Sequence, residues 1–424
     1  MVKSRKIRRP GKFAARYHAL LSTTSIDIPT PSISDLREPK PRFTFSTTSF
    51  NHDSIENRSV RDRVKQITSN PAMPLSQIRG LKNLGNTCYM NAVLQCLVRV
   101  PVFKSYLMSG EFEKDVVPNN KLGYRGQLIT EFAKLTRDLH YTGNFIVPKD
   151  VRAVLASRHS DFGTYTQQDA QEFLMVFLDG LHEEINRARA ENKKIVHEEP
   201  PDTEFDFCSK TVTHKQAAKL FWNRHLSMNK GAIVELFQGQ FVSITKSSKT
   251  EVIRRSFESF MCISVPIPEK ETNFCDLNAC LTAFKKSERI NDWYDPQIKS
   301  LVEADRTMRI WKAPKILIVH IKRFKTNNYG IICEKLHTRI NVPKKLEVLE
   351  ECGNSEKEYR LFGIVDHSGK TLNSGHYKAQ CNHPESKSMW FMFDDQDVSD
   401  VKNVEDKIQN SSTAYMCFYA DVTL

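Results

Sequence analysis

The apolar positions of this 424-residue chain change their period along its length, and the change divides it. Met90, Val93, Leu94, Leu97 and Val98 recur at i, i+3, i+4, i+7 and i+8, one buried helical face, until Pro101 forbids continuation. Ala170, Phe173, Leu174, Phe177, Leu178, Leu181 and Ile185 repeat the pattern, and Thr166-Gln-Gln-Asp169 ahead of them fits a capping box. Helical texture spans residues 88 to about 195. Beyond about residue 230 it becomes that of strands. Lys315 to Phe324 holds Ile316-Leu317-Ile318-Val319, and Tyr359–Val365, His376–Cys381, Met389–Phe393 and Ala414–Ala420 are further strand candidates. Helices followed by strands predict an α+β protein. Residues 22–60, rich in Ser, Thr and Pro without an apolar period, read as a disordered linker, so order is expected from near Ile78. The Glu- and Lys-rich stretch 186–202 reads as an exposed helix end and loop. There is no internal repeat and no glycine-rich phosphate loop.

Composition narrows the class. At 40% hydrophobic residues the chain can fill two or three average domains, or one large catalytic domain plus an extension. No run approaches the ~18 apolar residues of a membrane-spanning helix, so a soluble protein is expected. The ten cysteines, at 88, 96, 208, 262, 275, 280, 333, 352, 381 and 417, follow no repeating framework and form no C-x-x-C pair. With no secretory signal upstream, they read as reduced thiols in a nuclear or cytoplasmic protein, without a cysteine zinc knuckle. The net charge of +12 is uneven, because residues 1–77 carry 14 Lys+Arg against 6 Asp+Glu. Lys3, Arg5, Lys6, Arg8, Arg9, Lys12 and Arg16 all precede the first acid, Asp27. This cluster suits nuclear import, with a solvated tail or organellar targeting as alternatives, and any nucleic-acid binding would fall here.

One thiol stands out. Cys88 lies in Gly80-Leu-Lys-Asn-Leu-Gly-Asn-Thr-Cys-Tyr-Met-Asn91, where an Asn/Gly turn delivers it to the first turn of the helix. Thr87 is the expected N-cap, and the positive helix end favours the thiolate that attacks carbonyls. A cysteine nucleophile needs a base, a group to orient it and donors for the oxyanion. His376, in Asn373-Ser-Gly-His-Tyr377, sits where a glycine-bearing loop meets a strand. Trp390-Phe-Met-Phe-Asp394-Asp395 ends an apolar strand in two carboxylates, either a solvated turn or the orienting acid. Asn83, five residues before Cys88, either stabilises the turn or donates its amide to the oxyanion.

From about Ile78 to Leu424 these residues resemble the ubiquitin-specific protease family of deubiquitinases. The resemblance rests on Gly80–Asn91, on Gln168-Asp-Ala-Gln-Glu-Phe-Leu174, and on Tyr359–Cys381 with its Trp390–Asp395 continuation. Ile233–Gln240 and His320-Ile-Lys-Arg-Phe324 agree with it. It implies a papain-like cysteine peptidase core with a helical thumb at about 78–205, fingers at about 230–310 and a palm at about 311–424, behind the extension 1–77. By matching position, Cys88 is the nucleophile, His376 the general base and acid, Asp394 the orienting carboxylate, Asn83 the oxyanion donor and Asp395 an accessory acid. Asp169, Gln171, Gly375 and Tyr377 match residues along the tail of bound ubiquitin, and His367-Ser-Gly369 matches the start of a blocking loop. The implied activity is cleavage after ubiquitin's terminal glycine, with ubiquitin and ubiquitinated proteins as partners and no cofactor. Two alternatives stay open: a catalytically weak ubiquitin-binding module, and a protease of another ubiquitin-like modifier.

The family pattern fails in one place. Many relatives carry a zinc ribbon in the fingers, built from two C-x-x-C pairs. Alignment on Phe241, Phe257, Tyr294 and Trp311 places Ser247 and Thr250 at the first pair and Asp295 and Ile298 at the second. Hydroxyls and an isoleucine replace thiolates poorly or not at all, so no structural zinc is expected.

Overall fold

Gly85 and Asn86 both take positive φ, 96° and 56°, and turn the chain so that Cys88 opens the first helix, α1 (Cys88–Leu97). The expected Thr87 cap is not made. Thr87 occupies the N-cap position, but its hydroxyl accepts from the Leu84 N–H at 2.8 Å and caps nothing. The apolar stripe predicts one buried face, yet all ten residues of α1 are buried, because the helix runs between a helical layer and a sheet. Two of its polar members donate to the incoming chain: Asn91 Nδ2 to the Leu81 carbonyl at 3.1 Å and Gln95 Nε2 to that of Arg79 at 2.9 Å. Pro101 both stops this helix and starts the next, α2 (Pro101–Met108), where its missing N–H costs nothing.

The computed structural model describes residues 78–140, 144–190, 213–269, 273–326, 332–371, 374–383, 386 and 388–424, all within one compact unit. The basic extension, its linker and most of the 186–202 stretch lie outside the described residues. Helices α3 (Gln127–Asp138), α4 (Lys149–Ala156) and α5 (Ala170–Glu184) complete the helical layer. Aromatic rings knit it together, with Phe177 edge-on to Phe132 at 5.0 Å between centroids and Phe173 edge-on to Tyr89 at 5.6 Å. The capping box expected ahead of α5 is corrected. Asp169 is itself the N-cap, accepting from the N–H groups of Gln171 (2.6 Å) and Glu172 (3.2 Å), while the Thr166 hydroxyl pairs with Thr164 and Gln168. Helix α6 (His214–Met228), closed by a Thr213/Gln216 capping box, escapes the periodicity argument because only Ala217 and Ala218 of it are buried. A short α7 (Ala232–Phe237) leads into the sheets.

In chain order the strands of the two large sheets are β1 (Gly239–Ser247), β2 (Ile253–Phe260), β3 (Ile263–Pro266), β4 (Glu288–Asp295), β5 (Ser300–Lys312), β6 (Ile316–Lys322), β7 (Lys345–Glu350), β8 (Ser355–Thr371), β9 (Ser374–Asn382), β10 (Trp390–Asp394), β11 (Asp397–Asp400) and β12 (Ala414–Asp421). Helices α8 (Leu277–Phe284) and α9 (Val404–Gln409) interrupt them. Four strands form the antiparallel finger sheet in the order β2-β1-β5-β4. Eight form the palm, β11-β10-β9-β8-β12-β6-β3 with β7 also on β8, antiparallel except where β3 lies parallel to β6. The fold is therefore α+β. Strand β8 runs 17 residues, well past the apolar Tyr359–Val365, because its polar end is held by backbone pairing to β9 rather than by burial. Helix α1 packs on β8, β9, β10 and α5, which brings its N-terminus to the strand ends that carry the candidate chemistry.

Candidate active site

His376 stands near the start of β9 and Asp394 closes β10, two antiparallel neighbours. His376 Nε2 lies 2.5 Å from Asp394 Oδ1. The imidazole also hydrogen-bonds the Cys88 thiol at the head of α1. That bond, reinforced by Asp394 and by the charge the sulfur carries once it yields its proton, pushes the imidazole up to about 9 against the opposing effect of burial. Asp394 is partly buried, which opposes ionisation, yet Lys378 and His376 together hold it below the usual carboxylate range. Lys378 Nζ meets Asp394 Oδ2 at 2.5 Å, so the acid is shared between the imidazole and an ammonium.

Asp395 makes no hydrogen bond to the imidazole but stays within ion-pair reach, its Oδ2 4.0 Å from His376 Nε2. Instead it takes a left-handed conformation, φ 53°, and receives two amides, Asn83 Nδ2 on Oδ2 and Asn91 Nδ2 on Oδ1, each at 2.8 Å. Its carbonyl accepts from the Leu81 N–H at 2.8 Å. Asn83 Oδ1 in turn accepts from the N–H groups of Gly85 (2.9 Å) and Thr87 (3.1 Å). The Asn83 carboxamide is thus fixed at both ends before any substrate arrives, which is what an oxyanion donor requires. Asp395 takes one of its two amide hydrogens.

The residues matched to the ubiquitin tail fall near this centre. Asp169 is fully engaged, one oxygen capping α5 and the other accepting from the Tyr415 hydroxyl. Gln171 lies in the first turn of α5, partly exposed. Tyr377 is buried, its ring packed 4.5 Å from that of His367, so what it offers a ligand is backbone. Gly375 has no room for a side chain, since a Cβ there would strike His367 Nε2 and the Ser368 carbonyl. Gln167, which the sequence reading did not single out, bridges both halves: Nε2 donates to the Gly375 carbonyl at 2.5 Å and lies 3.8 Å from Cys88 Sγ, while Oε1 accepts from the Gly375 N–H at 3.1 Å. Its only signal is its place just ahead of the Gln168–Leu174 segment. Asn91 was better signposted, as an amide among the apolar residues of a buried helix.

The shared acid gives a pH prediction. Activity that needs the imidazolium is present below its raised value and falls as pH rises through about 9. Asp394→Asn removes a group that raises it, so the alkaline limb of kcat/KM is expected to move down. Lys378→Met removes a cation that opposes it, so the limb should move up. A pH–rate profile of the three proteins checks this, and unmoved limbs would remove the coupling.

A thiol, an imidazole and a carboxylate aligned at a helix N-terminus and the edge of an antiparallel palm define a papain-like cysteine peptidase. The family model described as ubiquitin carboxyl-terminal hydrolase matches residues 79–419, and the chain belongs to that family. Ubiquitin carboxyl-terminal hydrolase 4 of Vanderwaltozyma polyspora is 29% identical over 84% of this chain and 42% of its own length. The Saccharomyces cerevisiae protein of the same name is 30% identical over 87% and 41%. Ubiquitin carboxyl-terminal hydrolase Usp2 of Drosophila melanogaster is 29% identical over 88% and 38%. The chain thus spans about two fifths of the length of these relatives. A chain in the SAGA Ubp8/Sgf11/Sus1/Sgf73 DUB module bound to ubiquitin aldehyde superposes with a TM-score of 0.61 over 85% of this chain and 73% of that one, at 24% identity, a likeness of fold.

Proposed function

We propose that this chain is a deubiquitinating thiol hydrolase that cleaves the isopeptide or peptide bond after the C-terminal glycine of ubiquitin. The observation that carries it is the line Cys88–His376–Asp394, a thiol at the head of α1 beside an imidazole that Asp394 holds at 2.5 Å. Cys88 sulfur attacks the glycine carbonyl, and the Cys88 N–H and the second Asn83 amide hydrogen receive the oxyanion. His376 gives its proton to the departing lysine amine. It then takes one from water, which hydrolyses the thioester and releases the carboxylate. Ubiquitin's basic, glycine-ended tail reaches Cys88 past Asp169, Gln171, Gly375 and Tyr377, where Gln167, bonded to both backbone groups of Gly375, narrows the way. Relatives named ubiquitin carboxyl-terminal hydrolase, and a structural neighbour bound to ubiquitin aldehyde, support this reading. Nuclear or cytoplasmic residence is part of the proposal and rests on the basic cluster between Lys3 and Arg16.

The test is a panel of electrophilic probes, each with a reactive group at the C-terminus of ubiquitin or of another ubiquitin-like modifier. Rapid labelling of Cys88 by the ubiquitin probe is expected. Preferential labelling by a different modifier would transfer the proposal to that substrate, and binding without labelling would make the chain a ubiquitin-binding module.

A further inference from the structure

The two finger hairpins, β1–β2 and β4–β5, join through the central pairing of β1 with β5, whose last register pair is Ser247 with Ala304. Past that pair, the Ser248 N–H to the Glu303 carbonyl at 3.0 Å carries the pairing one step further. The turns at 248–252 and 296–299 then lie beyond the ladder, at the fingertip, where the family resemblance aligns Ser247, Thr250, Asp295 and Ile298 with the four ribbon positions. The residues at the four ribbon positions do not fit zinc, which takes four ligands, usually thiolates or imidazoles. One is an isoleucine, two are hydroxyls, and the only anion has both oxygens already accepting hydrogen bonds. The four positions nevertheless converge. Asp295 Oδ2 accepts from Ser247 Oγ at 2.6 Å and from Thr250 Oγ1 at 2.5 Å. Its Oδ1 accepts from the Gln297 N–H at 2.8 Å, and the Ile298 N–H also bonds the carboxylate. Ser247 Oγ is held in turn by the N–H groups of Lys249 and Thr250, each at 3.2 Å.

We infer that the Asp295 carboxylate does the work of the absent metal, cross-linking the two finger hairpins at their tips and holding the fingers in shape for the substrate. Asp295 is fully buried and Ser247 nearly so, whereas Thr250 is half-buried, so the knot is largely shielded from water. Burial opposes its charge, yet the converging donors hold the carboxylate below its usual range. A carboxylate with several shielded donors is a stronger tie than neutral hydrogen bonds. The same hairpin carries Tyr294, Ile298 and Leu301 at or beside its turn, all exposed apolar side chains. An ordered fingertip spares the substrate the entropy of ordering it on binding, an effect that reads out in KM rather than kcat. The role in substrate binding rests on the proposed function; the cross-link itself does not.

Two variants separate them. In Asp295→Ala, amide exchange in the segments around 244–256 and 292–302 should accelerate roughly ten- to hundredfold, with exchange in α1 and the palm unchanged. With a ubiquitin C-terminal amide as substrate, KM should rise several-fold at constant kcat. The fourfold variant Ser247→Cys, Thr250→Cys, Asp295→Cys, Ile298→Cys restores the ribbon spacing. It should bind one zinc ion and regain slow exchange and low KM, and a chelator should reverse both. Unchanged fingertip exchange in Asp295→Ala, or a fourfold variant that regains nothing on loading zinc, overturns the cross-link. Faster exchange with unchanged KM overturns its role in binding, whereas faster exchange in a protein that never cleaves ubiquitin removes the proposed substrate and leaves the cross-link standing.

Discussion

Cys88→Ala is expected to abolish turnover, a fall of roughly six orders of magnitude in kcat, while leaving the fold and ubiquitin binding in place. The loss is complete because no other described thiol can substitute. Cys96 and Cys381 face each other at 3.6 Å inside the core, where burial pushes the Cys96 thiol far up, and Cys280 is likewise buried and raised by desolvation. The fold survives because Cys88 is only 3% exposed and contributes little more than a small apolar volume at the start of α1, so removing one sulfur opens a small gap. Hydrolysis of a fluorogenic ubiquitin amide, with a thermal melt and a ubiquitin-binding isotherm on the same preparation, checks all three. A residual rate within roughly tenfold of the parent would remove Cys88 as nucleophile.

Asn83→Ala is expected to lower kcat by roughly 10²–10³ with a much smaller change in KM, since an oxyanion donor acts on charge that develops only in the transition state. The structure adds a second half to this prediction. Asn83 is aimed by Asp395, whose other oxygen is occupied by Asn91, so the three form one unit. In Asp395→Asn the new amide can accept from one of the two neighbouring amides but presents N–H to the other, and Asn83 loses its orientation. Asp395→Asn should therefore cost most of what Asn83→Ala costs, and the double variant little more than either alone. Additive losses in that cycle would show that Asp395 acts elsewhere, whereas a kcat unchanged in Asn83→Ala would remove the oxyanion role altogether.

Much of the molecule was legible before any coordinates, and the reason differs from residue to residue. The helices at Cys88 and Ala170 were readable because an apolar face repeats at the helical period, and the palm strands because their centres are continuous apolar runs. Helix α6 was not, since a helix lying on the surface with two buried alanines leaves no stripe to find. The capping box ahead of α5 misled because Thr166 and Asp169 satisfy its spacing, but the competing cap by Asp169 alone starts the helix later. At the site, the candidate Cys, His, Asp and Asn were each visible from residue type and local setting. Lys378 and Gln167 were not, because nothing in a strand or a loop marks which polar side chain will meet a partner from another element.

The sequence by itself determined the chemical groups available and the elements that present them: a thiol at a helix start, an imidazole at a strand start, two acids at a strand end, and a fingertip without thiolates. Those are properties of neighbours along the chain, carried by period, turn residues and caps. Only the tertiary structure decided which acid serves which partner, so that Asp394 takes His376 and Lys378 while Asp395, one residue on, holds Asn83 across 312 positions of sequence. It likewise decided that four positions unfit for zinc close around one buried carboxylate. Strand register and helix–sheet packing set those pairings, and a hydrogen bond a few ångströms long between distant segments leaves no trace in the local pattern of either.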